Sequence, residues 1–180
     1  MKLLEGKNVI ITGASRGICK GIAQVFAKHG ANVAFTYSSS EAPALELEKE
    51  LSEIGVKAKA YKSNAASFEE SEALVAKVLE DFDGRIDVLI NNAGITKDNL
   101  LMRMGEADFD TVIDNNLKGM FAPTKFAAIL FRQQRSGKVV NLTSDAGLGE
   151  IGKSNNAPAS EGIIGLTRTT ATDLGKYGVT

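Results

Sequence analysis

The 180-residue chain has one cysteine, one histidine and no apolar run of the length that a membrane span needs. A single cysteine, Cys19, cannot form an internal disulfide, and one histidine, His29, leaves no ligand set for zinc. We therefore predict no metal site. His29 immediately precedes Gly30 at the end of a predicted helix, where a helix-end role is expected rather than catalysis.

The chain also lacks an excess of charge of either sign. It has 21 basic and 22 acidic residues and no block of like charge, which argues against a nucleic-acid track or a membrane-surface patch. The N-terminus shows no signal-peptide pattern. We expect a cytoplasmic protein that binds neither nucleic acid nor membrane.

What the chain does contain is a regular alternation of short apolar segments with amphipathic ones. The periodicity predicts strands over 8–12, 32–37, 56–61, 86–90 and 138–143, and helices over 18–29, 41–54, 67–82, 108–134 and 162–174. Strands that alternate with helices in this way form right-handed βαβ units and a parallel sheet.

The predicted fold class is therefore α/β, a doubly wound, Rossmann-like parallel sheet with helices on both faces. A hydrophobic content of 43% is enough for one core, and we predict a single dinucleotide-binding domain over 1–180. Val179 is expected to start a sixth strand, so we expect the C-terminal strands of the sheet to be missing. The ligand of such a domain lies over the carboxyl ends of the strands.

The first strand runs directly into a glycine turn that opens a helix, over 9–19. Gly13 and Gly17 allow close approach to a ligand, and free N–H groups at the helix start favour an anion. Ser15 and Arg16 add a hydroxyl and a positive charge at the same place. The spacing is not the usual G-x-G-x-x-G, so an ordinary strand-to-helix turn is the alternative.

Three motifs together resemble the short-chain dehydrogenase/reductase family: Thr12-Gly13-xxx-Gly17-Ile18, Asn91-Asn92-Ala93-Gly94, and Asn116 in a long helix. The stretch 92–104 resembles the bacterial branch that reduces 3-oxoacyl thioesters of acyl carrier protein in fatty-acid synthesis. The resemblance implies an oxidoreductase and a set of cofactor-binding residues: Gly13, Ser15, Arg16, Gly17, Ile18, Ser38, Asn64, Ala65, Asn91, Ala93 and Gly94.

The same resemblance implies a catalytic asparagine, serine, tyrosine and, four residues after the tyrosine, lysine. Asn116 matches the asparagine and Ser144 the serine. Aligned back from 162–165, the tyrosine position holds Asn156 and the lysine position Ser160. Aligned forward from Ser144, the two positions hold Ala157 and Glu161, so neither register restores the dyad.

Two more departures concern the cofactor. Cys19 stands at the family's third glycine, and Asn64 stands where the family has an aspartate. The predicted second strand ends at Ser38 without the carboxylate that takes the ribose hydroxyls of NAD, and Arg16 is available for a 2′-phosphate. We therefore predict NADP as the cofactor; the alternative is that Arg16 is a solvated surface charge and Ser38 a turn residue.

The resemblance implies NADPH-dependent reduction of a 3-oxoacyl thioester to the 3-hydroxyacyl form. The alternative is a catalytically impaired dinucleotide-binding or interaction protein, because no tyrosine lies between Tyr61 and Tyr177. Expected partners are an acyl carrier protein thioester, with Arg135 as a candidate contact, and further copies of the chain. The family is commonly tetrameric through its fourth and fifth helices and its last strand.

Overall fold

The structure is a computed structural model that describes residues 1–180. Its centre is a five-stranded parallel sheet with strand order β3-β2-β1-β4-β5. The strands are β1 (Asn8–Ile11), β2 (Asn32–Tyr37), β3 (Ala58–Lys62), β4 (Val88–Asn91) and β5 (Lys138–Asn141). The order reverses between β1 and β4, and such a switch point opens a crevice at the carboxyl ends of the strands.

Six α-helices and a π-helical segment connect and cover the strands. The helices are α1 (Gly17–Lys28), α2 (Glu41–Glu53), α3 (Phe68–Asp81), α4 (Glu106–Val112), α5 (Gly119–Gln134) and α6 (Asn156–Leu174). The π segment (Ile113–Lys118) joins α4 to α5 without a loop, and short 3₁₀ turns lie at Leu101–Arg103, Asp145–Leu148 and Gly175–Tyr177.

The two faces of the sheet carry separate cores because successive strand residues point in opposite directions. Val9 and Ile11 pack with buried residues of α1 and α2. Ile10, between them, packs with buried residues of α3 and α5. The predicted doubly wound architecture is confirmed.

The third helix begins with a side-chain cap. Ser67 accepts a hydrogen bond of 3.2 Å from the backbone N–H of Glu70, and the Glu70 carboxylate accepts one of 2.8 Å from the N–H of Asn64. These contacts satisfy donors at the turn that enters α3. They also fix the loop after β3, which carries Asn64.

Several predicted boundaries are corrected. The third strand begins at Ala58 rather than at 56, and the last helix begins at Asn156, six residues before 162. The predicted helix over 108–134 is interrupted by the π segment. Pro123, inside α5, has no N–H to donate to the carbonyl of Gly119, where the π segment passes into α5.

Only the first residues of the expected sixth strand pair with the sheet. Val179 forms an isolated parallel bridge with Gly137, and the N–H of Val139 donates to the carbonyl of Thr180. The chain therefore reaches the outer edge of β5 over its last two residues without forming a full strand. None of the helices combines the length and the hydropathy that a membrane span requires.

Candidate functional site

A cavity of about 960 Å³ lies across the carboxyl ends of the strands. Segments that follow all five strands contribute to its wall, together with the start of α6. The volume is in the range of small-molecule and cofactor sites. Among the predicted cofactor residues, those that line the cavity are Gly13, Ser15, Arg16, Gly17, Ile18, Ser38, Asn64, Ala65, Ala93 and Gly94.

The turn after β1 owes its shape to two glycines. Gly13 has φ +70° and Gly17 has φ +64°, values that a residue with a Cβ rarely adopts. A Cβ at Gly13 would lie 3.0 Å from Cα of Ala93, whereas a Cβ at Gly17 would project into open space. Gly13 therefore allows two strand ends to meet, and Gly17 leaves room at the N-terminus of α1 for a ligand.

Thr12 ties the turn to the segment after β4. Its hydroxyl oxygen accepts hydrogen bonds from the backbone N–H groups of Asn92, at 2.9 Å, and Ala93, at 3.1 Å. The N–H of Gly13 in turn donates to the hydroxyl of Thr36 at 3.0 Å. These contacts hold the ends of β1, β2 and β4 in one fixed arrangement beneath the cavity.

Asn91 does not line the cavity, which revises one cofactor prediction. Its side chain is fully buried, and Nδ2 donates to the hydroxyl of Thr124 and to Oδ1 of Asn141, each at 2.8 Å. Asn91 therefore links β4 to α5 and β5. The adjacent Asn92 lines the cavity instead, and we transfer the cofactor-binding prediction to it.

Asn116 lies in the π segment and is almost completely buried. Its Oδ1 accepts a hydrogen bond of 2.8 Å from the N–H of Ile95, and its Nδ2 donates to the Ile95 carbonyl at 2.9 Å. A Cβ at Gly94 would lie 3.2 Å from Oδ1 of Asn116. The π turn thus presents an amide that fixes the loop after β4, and π turns are frequent at functional sites.

The start of α6 brings Asn156 and Ser160 to the cavity wall, one helical turn apart. Ala157 and Glu161, which come from the other register, do not line it. Asn156 accepts a hydrogen bond of 3.3 Å from Nδ2 of Asn116. The backbone carbonyl of Ser160 accepts one of 3.1 Å from the hydroxyl of Thr143.

Ser144 follows β5 and lines the cavity with an exposed side chain. Its hydroxyl donates to the Asp145 carboxylate at 3.3 Å and accepts from the N–H of Ala146 at 3.1 Å. The structure therefore brings Ser144, Asn116, Asn156 and Ser160 to one end of the cavity, on the side of β4 and β5.

The ionised groups in the cavity wall are all cations. Arg16, Lys97 and Lys153 line it, and no aspartate or glutamate does. Glu41, just after β2, lies outside the lining and accepts a hydrogen bond of 3.2 Å from the hydroxyl of Tyr37. This contact contributes with burial to raising the pKa of Tyr37, burial being the larger cause. The cavity suits a ligand with several negative charges.

Sequence reasoning missed both lysines. Lys97 lies three residues after the Asn-Asn-Ala-Gly motif and could have been found there. Lys153 gave no local signal, because its nearest partner, Asp98, is 55 positions away in the chain. The Nζ of Lys153 lies 2.5 Å from Oδ2 of Asp98, and this hydrogen bond raises the pKa of the lysine.

Three further predicted residues lie away from the cavity. Cys19 is completely buried beneath the turn, and burial raises the pKa of its thiol to about 11. His29 caps the C-terminus of α1, where its Nδ1 accepts from the N–H of Leu3 at 3.5 Å. Arg135 follows α5 and precedes β5, at the amino ends of the strands and 5.2 Å from the ring centre of Tyr177, which leaves it outside this cavity.

A family model described as short chain dehydrogenase matches residues 7–180 of the chain. A 3-oxoacyl-(acyl-carrier-protein) reductase from Staphylococcus epidermidis is 44% identical over 97% of this chain and 71% of its own length. An enzyme of the same name from Synechocystis is 42% identical over the whole chain and 73% of the relative.

Solved structures agree with the sequence matches. A short chain dehydrogenase from Mycobacterium avium superposes with a TM-score of 0.93 at 36% identity, over 99% of this chain and 66% of that one. An NAD⁺-bound xylitol dehydrogenase superposes with a TM-score of 0.94 at 30% identity, over 99% and 68%. The chain thus spans about two thirds to three quarters of these relatives.

Proposed function

From the premise that the chain belongs to the short-chain dehydrogenase family, we propose that it binds NADPH and reduces a 3-oxoacyl thioester of acyl carrier protein to the 3-hydroxyacyl thioester. One observation carries this proposal. A single cavity joins the glycine turn after β1 to a cluster of amides and hydroxyls at the ends of β4, β5 and α6. The names of the relatives supply the substrate class.

The residues around the turn fit a dinucleotide. The open space beside Gly17, at the N-terminus of α1, suits a diphosphate because backbone N–H groups and the helix dipole favour an anion there. Asn92, Ala93 and Gly94 would hold the other half of the cofactor across the switch point. When bound, the cofactor supplies a hydride for the substrate carbonyl.

We propose NADPH rather than NADH because of the charged groups near the end of β2. Ser38, Ser39 and Ser40 line the cavity there, and the Glu41 carboxylate that follows is engaged by Tyr37. Arg16 is exposed and lies in the same wall, where its guanidinium can pair with a 2′-phosphate. A relative that binds NAD⁺ has a similar fold, so the fold alone does not select the cofactor.

Reduction of a ketone builds negative charge on its oxygen, which needs hydrogen-bond donors and then a proton. Ser144 and Asn156 are the donors that we propose for the substrate carbonyl, with Asn116 holding Asn156 through its amide. Asparagine donates a hydrogen bond but is not an acid. Because Asn156 and Ser160 line the cavity, we place the family's tyrosine and lysine at these positions, and we expect slow turnover.

The test is a single-turnover measurement of NADPH oxidation with a 3-oxoacyl thioester, beside a binding titration of NADPH alone. Binding together with slow, Ser144-dependent reduction supports the proposal. Fast turnover that survives Ser144→Ala contradicts the mechanism. Absence of NADPH binding contradicts the function altogether.

A second candidate function is a dinucleotide-binding protein without catalysis. It is favoured by the residues at the two altered positions, which provide no acid for the alkoxide and no cation beside it. NADPH binding without any reduction, even at high enzyme concentration, would select this candidate.

Self-association is also proposed. Large apolar side chains remain exposed along α4 and α5, which together correspond to the predicted fourth helix, among them Phe109, Phe121 and Ile129. Phe121 also stacks against Phe68, with ring centres 6.1 Å apart. An apolar patch on this helical stretch would suit a contact with a second copy of the chain, and light scattering at several concentrations tests it.

A further inference from the structure

The cavity has cations in separate parts of its wall. Arg16 follows β1, whereas Lys97 follows β4 and Lys153 precedes α6. Since β2 and β5 lie on opposite sides of the β1–β4 pair, the two lysines lie at the end away from Ser38. A cofactor phosphate accounts for Arg16 alone, and the lysines need another explanation.

Backbone contacts hold the two lysine segments against each other. The N–H of Asn99 donates to the carbonyl of Gly152 at 3.0 Å, next to a parallel bridge between Asn99 and Lys153. Nδ2 of the buried Asn155 donates to the carbonyl of Lys97 at 2.8 Å. Lys97 and Lys153 therefore belong to one fixed corner of the cavity.

Both lysines form ion pairs with aspartates but can still bind an anion in the cavity. The ion pair of Lys97 with Asp108 spans 3.8 Å between half-exposed groups, and pairs of this kind are weak. Lys153 is only 19% exposed and uses one of its three N–H donors for Asp98. Neither carboxylate lines the cavity, so the charged groups that face it at this corner are the two ammonium groups.

We propose that Lys97 and Lys153 bind the phosphate of the pantetheine arm on which the acyl thioester is carried. The inference rests on the proposed function, because it assumes that the thioester reaches Ser144 and Asn156 from this end. In both carrier proteins and coenzyme A the acyl group is joined as a thioester to a phosphorylated pantetheine. The ligand that the two share is therefore a phosphopantetheine thioester. Ammonium groups at the rim anchor the phosphate while the amide and hydroxyl cluster receives the acyl end.

The test compares 4′-phosphopantetheine with pantetheine by calorimetric titration of the full chain. We expect the phosphorylated compound to bind about tenfold more tightly, as for a charge-assisted hydrogen bond. Lys97→Met and Lys153→Met should each reduce this ratio, and Lys153→Arg should retain it. Increasing salt should reduce it in the wild type because the half-exposed Lys97 is accessible to counterions.

Lys57→Met is the matched control. Lys57 also pairs with an aspartate at 3.8 Å and is half-exposed, but it lies outside the cavity. The variant should keep the wild-type ratio. Titrations with coenzyme A and with a phosphopantetheinylated carrier protein then show which of the two carriers the site accepts. Loss of affinity for either carrier in the variant that lacks both lysines supports the site.

Equal affinity for the two compounds in the wild type, or a ratio unchanged in the folded double variant, overturns the inference. Reduction of an uncharged N-acetylcysteamine thioester tests the proposed function separately, since that substrate has no phosphate. If it is reduced while the phosphate has no effect, the inference fails alone. If it is not reduced while the phosphate preference is present, the reductase proposal fails and the anion site stands.

Discussion

Nδ2 of Asn116 donates a hydrogen bond of 3.3 Å to Oδ1 of Asn156, which joins the π segment to the first turn of α6. Both side chains are almost completely buried. Because Oδ1 of Asn156 is engaged in this way, its Nδ2 group is the donor left for a substrate. The pair therefore presents a hydrogen-bond donor to the cavity, but no group that releases a proton near neutral pH.

Asn156→Tyr combined with Ser160→Lys should raise the rate of thioester reduction. The two positions lie one helical turn apart on the cavity wall, so the lysine can lower the pKa of the tyrosine. General acid catalysis of this kind contributes roughly 10²- to 10⁴-fold. The measurement is NADPH oxidation in single turnover at several pH values.

The control for this pair is Ala157→Tyr with Glu161→Lys, which introduces the same two residues at positions outside the cavity lining. We expect no gain from it. A gain from the control pair with none from the first pair would show that the other register is correct. Repeating both with a family C-terminal segment appended tests whether the pocket needs that segment to work.

Arg16→Ala should reduce the preference of the chain for NADPH over NADH. The guanidinium lines the same cavity as Ser38, and no carboxylate lines that cavity to bind the ribose hydroxyls of NADH. Loss of a hydrogen bond between charged groups corresponds to about a tenfold or larger change in affinity. Titration of both nucleotides measures it, and a preference that is absent from the wild type or unchanged in Arg16→Ala contradicts the assignment.

Much of the fold could be predicted because its signals are local. The unbroken apolar run of Val9, Ile10 and Ile11 predicts a strand that is buried on both faces, and Ser67 with Glu70 predicts the start of a helix. The glycine turn was visible for the same reason. These segments fix the cofactor half of the cavity.

The substrate half depends on contacts between distant residues. The first turn of α6 contains Asn156 and Pro158 and has little helical periodicity, so the sequence pattern predicts a helix that begins six residues later. Its start is fixed by Asn155, which bonds to the carbonyls of Lys97 and Asp108, and by the contact with Asn116. No spacing within the chain predicts such contacts.

Because of Asp81, the stability of the protein should fall with pH in the acid range. Its carboxylate accepts hydrogen bonds from Nζ of Lys59 at 2.7 Å and from the hydroxyl of Tyr61 at 2.8 Å. These contacts, the lysine first, hold the pKa of Asp81 well below its ordinary value of 3.8. The stabilisation is fully present above that ordinary value and is lost as the pH falls through the lower, folded-state pKa.

Asp81→Asn should therefore unfold more easily than the wild type near neutral pH, and the difference should shrink at acid pH. Denaturant unfolding at a series of pH values measures it. Asp83→Asn is the control, since Asp83 is 91% exposed and its pair with Lys57 spans 3.8 Å. A difference between Asp81→Asn and wild type that stays constant down to the lowest pH would contradict the assignment.

Gly13→Ala should lower both stability and nucleotide affinity. Its φ of +70° costs a residue with a Cβ about 1–2 kcal/mol, and the new methyl would lie 3.0 Å from Cα of Ala93.

Gly21→Ala is the matched control because Gly21 lies inside α1, has no positive φ, and has open space for a Cβ. That substitution should stabilise the helix by about 0.5–1 kcal/mol and leave nucleotide affinity unchanged. Thermal unfolding with and without NADPH measures both quantities. If Gly13→Ala kept the NADPH-dependent rise in melting temperature of the wild type, the turn after β1 would not be the phosphate site.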